Sequence, residues 1–371
     1  MMMPTISHRH PHVVVDARMI GASGIGTYLQ NMLPRVVAAR PGWRFTVLGR
    51  TDELSALGLA NSGHVELRPA ASRVYSIGEQ IELARCSPRR SDLFWSPHYN
   101  IPLVPSARLV VTIHDVMHLS RPEYTRTWAR RRYARAMFSA VRRRASAVVC
   151  VSDFTRREFT RLVGSHPATT VVHNGVEPGW FDVRCPARVR AGPYVLFVGS
   201  SKPHKNLVGL LRGFALVKST VPHDLVVVSA QRDSLRTVDS RVDAEAALLD
   251  DRVILLHGLE LPELQRLVAG ADLVVQPSVY EGFGLPPLEA MAAGTPCLVA
   301  RIDAFAEVCG DAVEYCDPHD PRDIAAKLAW LLMDDASRNE LRARGRLRAR
   351  QFAWDVAAER MLAVFEKVLD T

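Results

Sequence analysis

The stretch of this chain best suited to chemistry is Tyr280-Glu281-Gly282-Phe283-Gly284-Leu285-Pro286-Pro287-Leu288-Glu289. It sets two carboxylates eight positions apart around two glycines and two prolines. An apolar run, 271–277, precedes it and reads as a strand. Proline is tolerated in the first turn of a helix, where backbone N–H groups lack intrahelical partners. Glycine lets the backbone come close to a ligand. The predicted unit is strand, glycine loop, helix start, which aims amides and a positive dipole end at an anion. With a helix starting near Leu285, Glu289 is expected in its first turn and Glu281 on the loop before it. Both carboxylates can then accept hydrogen bonds from hydroxyls beside the anion, a combination that suits a nucleotide sugar. The same spacing also serves an ordinary strand-to-helix turn in which Glu289 only favours the dipole.

Other residues could share this chemistry. A diphosphate leaving group must be neutralised, and no Asp-x-Asp triplet is present to hold a cation. No C-x-x-C pair occurs among the six scattered cysteines, so a zinc site is not expected. Basic side chains and a helix N-terminus are the remaining means. Lys205, just past the strand predicted at 195–199, is the leading cation, against the alternative of a solvated loop lysine. His114 closes a Val-Val-Thr-Ile run, at the carboxyl edge where open α/β sheets bind ligands. Asp115 is expected to fix its tautomer.

The Glu281–Glu289 window resembles the E-x7-E signature of retaining glycosyltransferases of family 4, which have the GT-B fold. Further segments agree in order: Gly24-Ile25-Gly26-Thr27-Tyr28, Ser96-Pro97-His98-Tyr99, Ile113-His114-Asp115, His173-Asn174-Gly175-Val176, Val198-Gly199 and His204-Lys205-Asn206-Leu207. Gly310-Asp311-Ala312 and Asp317-Pro318 follow the window, so the resemblance covers nearly the whole chain. It implies an α/β protein of two Rossmann-like doubly wound domains facing across a cleft, with a C-terminal helix crossing back. It also implies metal-independent transfer of a hexose with retention, with no protein nucleophile. By resemblance Lys205 contacts the donor phosphates, Glu281 lies near the donor sugar and Glu289 holds the ribose. Gly282, Phe283, Gly284 and Leu285 would supply amides. Gly24 and Gly26 would belong to a flexible loop over donor or acceptor, and His114 would orient the sugar. Many family members carry an arginine near the position of Ser200 or Ser201. It is absent here, and Lys202 is the candidate to replace it.

No cofactor is expected beyond the donor, with GDP-mannose favoured. The set Gly-Ile-Gly-x-Tyr, Ser-Pro-His and Val-Gly-x-x-x-Pro-x-Lys-Asn resembles that of bacterial mannosyl- or rhamnosyltransferases of surface polysaccharide assembly, which implies glycans or lipid-linked glycans as acceptors. Two rivals stand beside this reading. One is a catalytically silent nucleotide-binding protein of the same fold. The other is an NAD(P)-binding oxidoreductase built on Gly21-Ala22-Ser23-Gly24-Ile25-Gly26, although no tyrosine has a lysine four residues on.

These groups must be held by alternating β and α elements. Strands are predicted at 13–18, 45–49, 93–96, 109–114, 147–151 and 170–173. A second set is predicted at 194–199, 225–229, 253–256, 273–276, 297–300 and 313–316. Most are continuous apolar runs, as in parallel strands buried on both faces. A Pro- and Gly-rich break at 177–193 reads as a linker. The expected division is an acceptor-binding domain at 1–180, a nucleotide-sugar domain at 181–350, and a tail helix at 351–371 on the first domain.

At 371 residues, 48% hydrophobic and 23% charged, the composition is that of a soluble globular protein. Without an apolar signal core or a membrane-length apolar run, a cytoplasmic location is expected. The net charge of +8 is concentrated in Arg126, Arg130, Arg131, Arg132, Arg135, Arg142, Arg143 and Arg144, with no acid among them. Tyr133, Met137 and Val141 fall at helical spacing within this run, so it is a basic amphipathic helix. Two readings stand: arginines that are merely solvated, and attraction to anionic lipid at the inner membrane. Nucleic acid is not expected, because no nucleic-acid motif accompanies the charge. A second basic cluster, 338–350, reads as a solvated helix face.

Overall fold

Runs of Val, Leu, Ile and Phe with polar residues only at their ends cannot face water on either side, and they become the inner strands of two parallel sheets. The computed structural model describes residues 10–59, 62–72, 74–88, 90–104, 107–125, 127–183, 192–229 and 239–371. It divides the chain into one unit of Met1–His173 with Trp354–Thr371 and another of Asn174–Ala353. The divisions therefore fall a few residues from the expected 180/181 and 350/351. Of the expected linker, residues 184–191 lie outside the described residues. The turn Pro178–Trp180 belongs to the second unit, with Trp180 buried.

The first unit holds β1 (His12–Asp16), β2 (Arg44–Gly49), β3 (Val65–Pro69), β4 (Leu93–Ser96), β5 (Arg108–Ile113), β6 (Ala147–Cys150) and β7 (Thr169–Val171). All pair in parallel, in the order β3-β2-β1-β4-β5-β6-β7. The second unit holds β8 (Tyr194–Val198), β9 (Asp224–Ser229), β10 (Val253–His257), β11 (Leu273–Gln276), β12 (Cys297–Ala300) and β13 (Glu314–Cys316). Their order is β10-β9-β8-β11-β12-β13, again parallel throughout. In each sheet the order reverses beside the first strand, at β1/β4 and at β8/β11. A doubly wound sheet opens its ligand crevice at the carboxyl ends of such strands.

Among the described residues, twelve of the thirteen strands coincide with predicted runs; β3 does not. Its sequence, Val-Glu-Leu-Arg-Pro, alternates and ends in proline, as befits an edge strand with one partner. The helix Trp354–Leu369 packs on the first unit. Trp354 meets the Tyr28 ring edge-on at 6.0 Å, Phe365 meets Trp95 at 5.4 Å, and Arg35 binds Asp355 at 2.8 Å.

The second basic cluster is only in part a solvated face. Arg348 donates to the Val308 and Glu307 carbonyls at 2.8 and 2.6 Å, and Arg346 donates to the Phe181 carbonyl at 2.7 Å. Arg338 is buried against the Leu331 carbonyl. Arg348 thereby satisfies late carbonyls of the helix Asp303–Cys309, which have no partner within it. Charge-assisted bonds of this kind are worth about 1.5–3 kcal/mol each. Arg348→Ala is therefore expected to lower the unfolding free energy by roughly 2 kcal/mol. The exposed neighbour Arg350→Ala should stay within about 0.5 kcal/mol. Equal urea midpoints for the two variants would return the cluster to the solvated reading.

Candidate functional site

In the second unit the loops that leave β8 and β11 come together at the sheet's switch point. β8 and β11 are hydrogen-bonded neighbours, with Val195 opposite Leu273 and Leu196 opposite Val274. Further hydrogen bonds continue the stitching beyond the strands. Gln276 donates to the Val198 carbonyl at 2.7 Å, and the Val279 amide donates to the His204 carbonyl at 2.8 Å. Asn206 donates to the carbonyls of Pro277 at 3.1 Å and Pro318 at 2.7 Å. It does so from a left-handed backbone at φ 55°, a conformation that asparagine tolerates better than most residues.

This stitching sets Lys205 against Glu281. Lys205 Nζ lies 2.7 and 2.9 Å from the two Glu281 oxygens, and both side chains are largely buried. Burial pushes the Glu281 carboxyl up. The Lys205 ammonium outweighs this together with His204 and the Ser278 hydroxyl, and leaves the acid below its ordinary value. Glu281 is thus an anion at neutral pH. Lys202 does not join the pair. Its exposed side chain borders a cavity of about 170 Å³ that Asn206, Arg212, Arg241 and His319 also line. His204, Asn206 and Ser278 had no expected role, yet they hold or tune the pair. Asn206 and His204 stand within the resembling motif; Ser278 gave no signal.

Gly284 opens the helix Leu285–Ala293 at φ 115°, with Pro286 and Pro287 in its first turn. A Cβ at Gly284 would meet Phe305 Cε1 at 2.6 Å, so only glycine fits. The prolines remove two of the usual donors, and the Leu288 amide bonds to the Gly284 carbonyl at 3.4 Å. The helix start therefore offers an anion its dipole and the amides of Gly284 and Leu285, rather than a full ring of N–H groups. Phe283 is buried, with its ring edge-on to Phe352 at 5.9 Å.

Glu289 is the fifth residue of this helix, so it sits one turn further in than expected. Burial pushes its carboxyl up to about 8, and no positive group offsets that. The two acids of the window therefore carry different charge: Glu281 ionised, Glu289 protonated near neutrality.

The remaining candidates belong to the first unit. Gly24 and Gly26 lie in the first turn of the helix Ser23–Ala38, not on a loop. A Cβ on Gly26 would collide with the Ile20 carbonyl, whereas Gly24 has open space around its Cβ position. His114 follows β5, with its ring edge-on to Tyr28 at 4.8 Å. Its Nε2 lies 2.9 Å from the Pro97 carbonyl, which can only accept, so Nε2 carries the proton. Asp115 does not fix the tautomer; it accepts from the Met117 amide at 2.9 Å. Burial lowers His114 to about 4, against the opposing pull of the Pro97 carbonyl and Asp115, and keeps it neutral at working pH. Among the described residues no three His, Cys, Asp or Glu side chains form a metal-binding group. Cys86, Cys150, Cys297, Cys309 and Cys316 are free thiols, and Cys185 lies outside the described residues.

Glu289 gives a signed pH effect. Its folded value stands above its unfolded one, so the unfolded chain releases a proton that the folded chain keeps. Stability therefore falls as pH rises from about 4.5 toward 8 and then levels, at about 1.4 kcal/mol per unit at most. The side chain is partly accessible, which reduces the total to roughly 2 kcal/mol. Glu289→Gln is expected to raise the melting temperature at pH 8 and to leave it nearly unchanged at pH 4.5. Equal differences at both pH values would contradict the buried, unpaired carboxyl.

Known proteins resemble this chain in sequence and in fold. The family described as glycosyl transferases group 1 matches residues 187–348, and that described as Glycosyltransferase Family 4 matches residues 22–180. The O-antigen chain mannosyltransferase B of Escherichia coli is 31% identical over 274 residues, which are 71% of each chain. The O-antigen chain mannosyltransferase RfbU of Salmonella typhimurium is 28% identical over 62% of each chain. Among solved structures, HepE of Anabaena in complex with UDP and glucose aligns with a TM-score of 0.78 at 17% identity, covering 96% of this chain and 100% of that one. Sucrose-phosphate synthase of Thermosynechococcus elongatus also aligns at 0.78, with 18% identity over 98% and 100%. The chain is a GT-B glycosyltransferase and belongs to family 4, the glycosyl transferases of group 1.

Proposed function

We propose that the chain is a retaining, metal-independent hexosyltransferase that moves mannose or rhamnose from a nucleoside diphosphate sugar, GDP-mannose foremost. The acceptor is a hydroxyl of a glycan or lipid-linked glycan in bacterial surface polysaccharide assembly. The observation that carries the donor part is the Lys205–Glu281 pair beside the Gly284 helix start. The names of the relatives, O-antigen chain mannosyltransferases, support the sugar and the pathway class. HepE, whose structure holds UDP and glucose, supports a nucleoside diphosphate as the donor carrier. The metal-independent reading rests on the missing Asp-x-Asp triplet.

The incoming diphosphate competes with Glu281 for the Lys205 ammonium, since phosphate oxygens are strong acceptors for a charged donor. The Gly284 and Leu285 amides and the dipole of their helix take further oxygens. Glu281 then has an oxygen to spare for a sugar hydroxyl. Glu289, protonated, can both donate to and accept from the ribose hydroxyls. As the bond from the anomeric carbon to the phosphate oxygen breaks, negative charge grows on the diphosphate, and Lys205 and the dipole stabilise it. The acceptor oxygen bonds to the same face of the sugar, and its proton passes to the departing phosphate oxygen. His114 keeps the role that the resemblance implies, a neutral imidazole hydrogen-bonded to a sugar hydroxyl. The chain is read as cytoplasmic, with peripheral contact between the inner membrane and the helix Trp128–Arg144.

Lys205→Ala and Glu281→Ala are each expected to cut turnover of GDP-mannose by more than about tenfold without unfolding the chain, Lys205→Ala lowering the melting temperature because it leaves the Glu281 carboxylate without its cation. In a thermal-shift comparison of GDP, UDP, dTDP, ADP and NAD, GDP should stabilise the chain most and NAD not at all. Wild-type rates in both variants, or stabilisation by NAD alone, would overturn the reading.

A further inference from the structure

One residue of the first unit is both strained and exposed. Tyr75 holds a left-handed backbone at φ 70° and is 47% exposed. Glycine or asparagine takes that conformation at less cost, and a ring kept only for packing would be buried. Strain of this kind collects where a residue is held for function.

Neighbouring groups over-determine the strained turn. The Tyr75 amide donates to Glu79 Oε2 at 2.8 Å, and Glu79 is fully buried. Arg18 donates to the other Glu79 oxygen at 2.7 Å and to Asp16 at 2.6 Å. Asp16 ends β1, so this run of charges ties the Tyr75 loop to the strand beside which the sheet order reverses. Past β4, the other strand of that switch point, His98 Nε2 lies 3.2 Å from the Tyr75 hydroxyl. Both anchors follow carboxyl ends where a doubly wound sheet binds its ligand. His98 and Tyr99 belong to the Ser96–Tyr99 segment, which the donor chemistry leaves without a role.

His98 also fixes the direction of the hydroxyl. The Asn100 amide donates to His98 Nδ1 at 3.2 Å, so Nδ1 carries no hydrogen. Burial, with His114, His118 and Arg18 nearby, lowers His98 to about 3, and the neutral ring keeps its hydrogen on Nε2. Nε2 therefore donates to the Tyr75 oxygen, and the Tyr99 hydroxyl bonds the same oxygen. The hydrogen of Tyr75 itself is left to donate outward. Close by, Arg18 Nη1 and Asn100 Nδ2 are buried donors with no acceptor among the described residues.

The cluster is thus rich in donors, short of acceptors, and bordered by an aromatic ring open to water. A pyranose answers each feature. Its C–H face covers an aromatic ring, and its hydroxyl oxygens accept from directed O–H and N–H groups, directly or through a water. We propose that Tyr75, with its hydroxyl directed by His98, is the platform on which a pyranose ring of the acceptor glycan rests. The inference rests on the glycan-acceptor part of the proposed function and names the residue that reads it.

Saturation-transfer NMR of the full chain with GDP tests it, using methyl α-mannoside, α-rhamnoside, α-glucoside and α-galactoside as probes. The wild type should bind at least one of them. Tyr75→Phe keeps the ring and should weaken that binding roughly fivefold, as expected for one neutral hydrogen bond. Tyr75→Ala should weaken it by at least about tenfold. Adding His98→Ala to Tyr75→Phe should cost little more, because His98 acts through the hydroxyl it directs. A wild type that binds none of the four sugars overturns the proposal. So do tyrosine variants with wild-type affinity, or a His98 loss that adds in full to the Tyr75→Phe loss. A cooperative melt in each variant shows an intact fold; should Tyr75→Ala lose it, Tyr75→Phe decides. GDP stabilisation of the wild type reports the donor reading separately, so the two failures are told apart.

Discussion

A carboxylate withdrawn from water must find a positive partner or give up its charge. Glu281 meets that demand with Lys205, and the rest of the second unit is arranged around the need. The two residues are 76 positions apart in sequence and meet only because β8 and β11 are neighbours at the point where the strand order reverses. Gln276, Asn206 and the Val279 amide each bond across the same two loops, which fixes the pair's spacing before any ligand arrives. Preorganisation of this kind is what electrostatic catalysis asks of a protein.

The two acids of one short window show how position on a helix sets chemistry. Glu281, on the loop, has Lys205 and His204 for company and stays ionised. Glu289, eight residues on, has only burial, and keeps its proton to about pH 8. A charged acid suits contact with a cation and a sugar hydroxyl. A neutral one can donate as well as accept, which suits paired hydroxyls. Holding Glu289 in an apolar setting costs stability, a common arrangement where a residue is kept for function.

Much of this was legible in the sequence, for reasons that differ by residue. Buried parallel strands are continuous apolar runs, so twelve of the thirteen among the described residues could be placed; β3 could not, because an edge strand carries charge and proline. Gly284 and the two prolines announced a helix start, since few other residues accept those backbone positions. What stayed hidden was tertiary. Arginines at 346 and 348 look like any solvated row until carbonyl groups from distant segments meet them. The partner of His114 is a backbone carbonyl at Pro97, which no side-chain pattern encodes. Gly24 and Gly26 resemble a loop, yet they open a helix, in which Gly26 passes close to the Ile20 carbonyl. The family relationship was readable because its motifs keep their order along nearly the whole chain.

The most direct measurement is a crystal structure of the chain grown with GDP-mannose. Diphosphate oxygens are expected within hydrogen-bonding distance of Lys205 Nζ and of the Gly284 and Leu285 amides, with the ribose against Glu289 and the lysine drawn partly off Glu281. A nucleotide bound elsewhere, with Lys205 and Glu281 still closed on one another, would contradict the central claim.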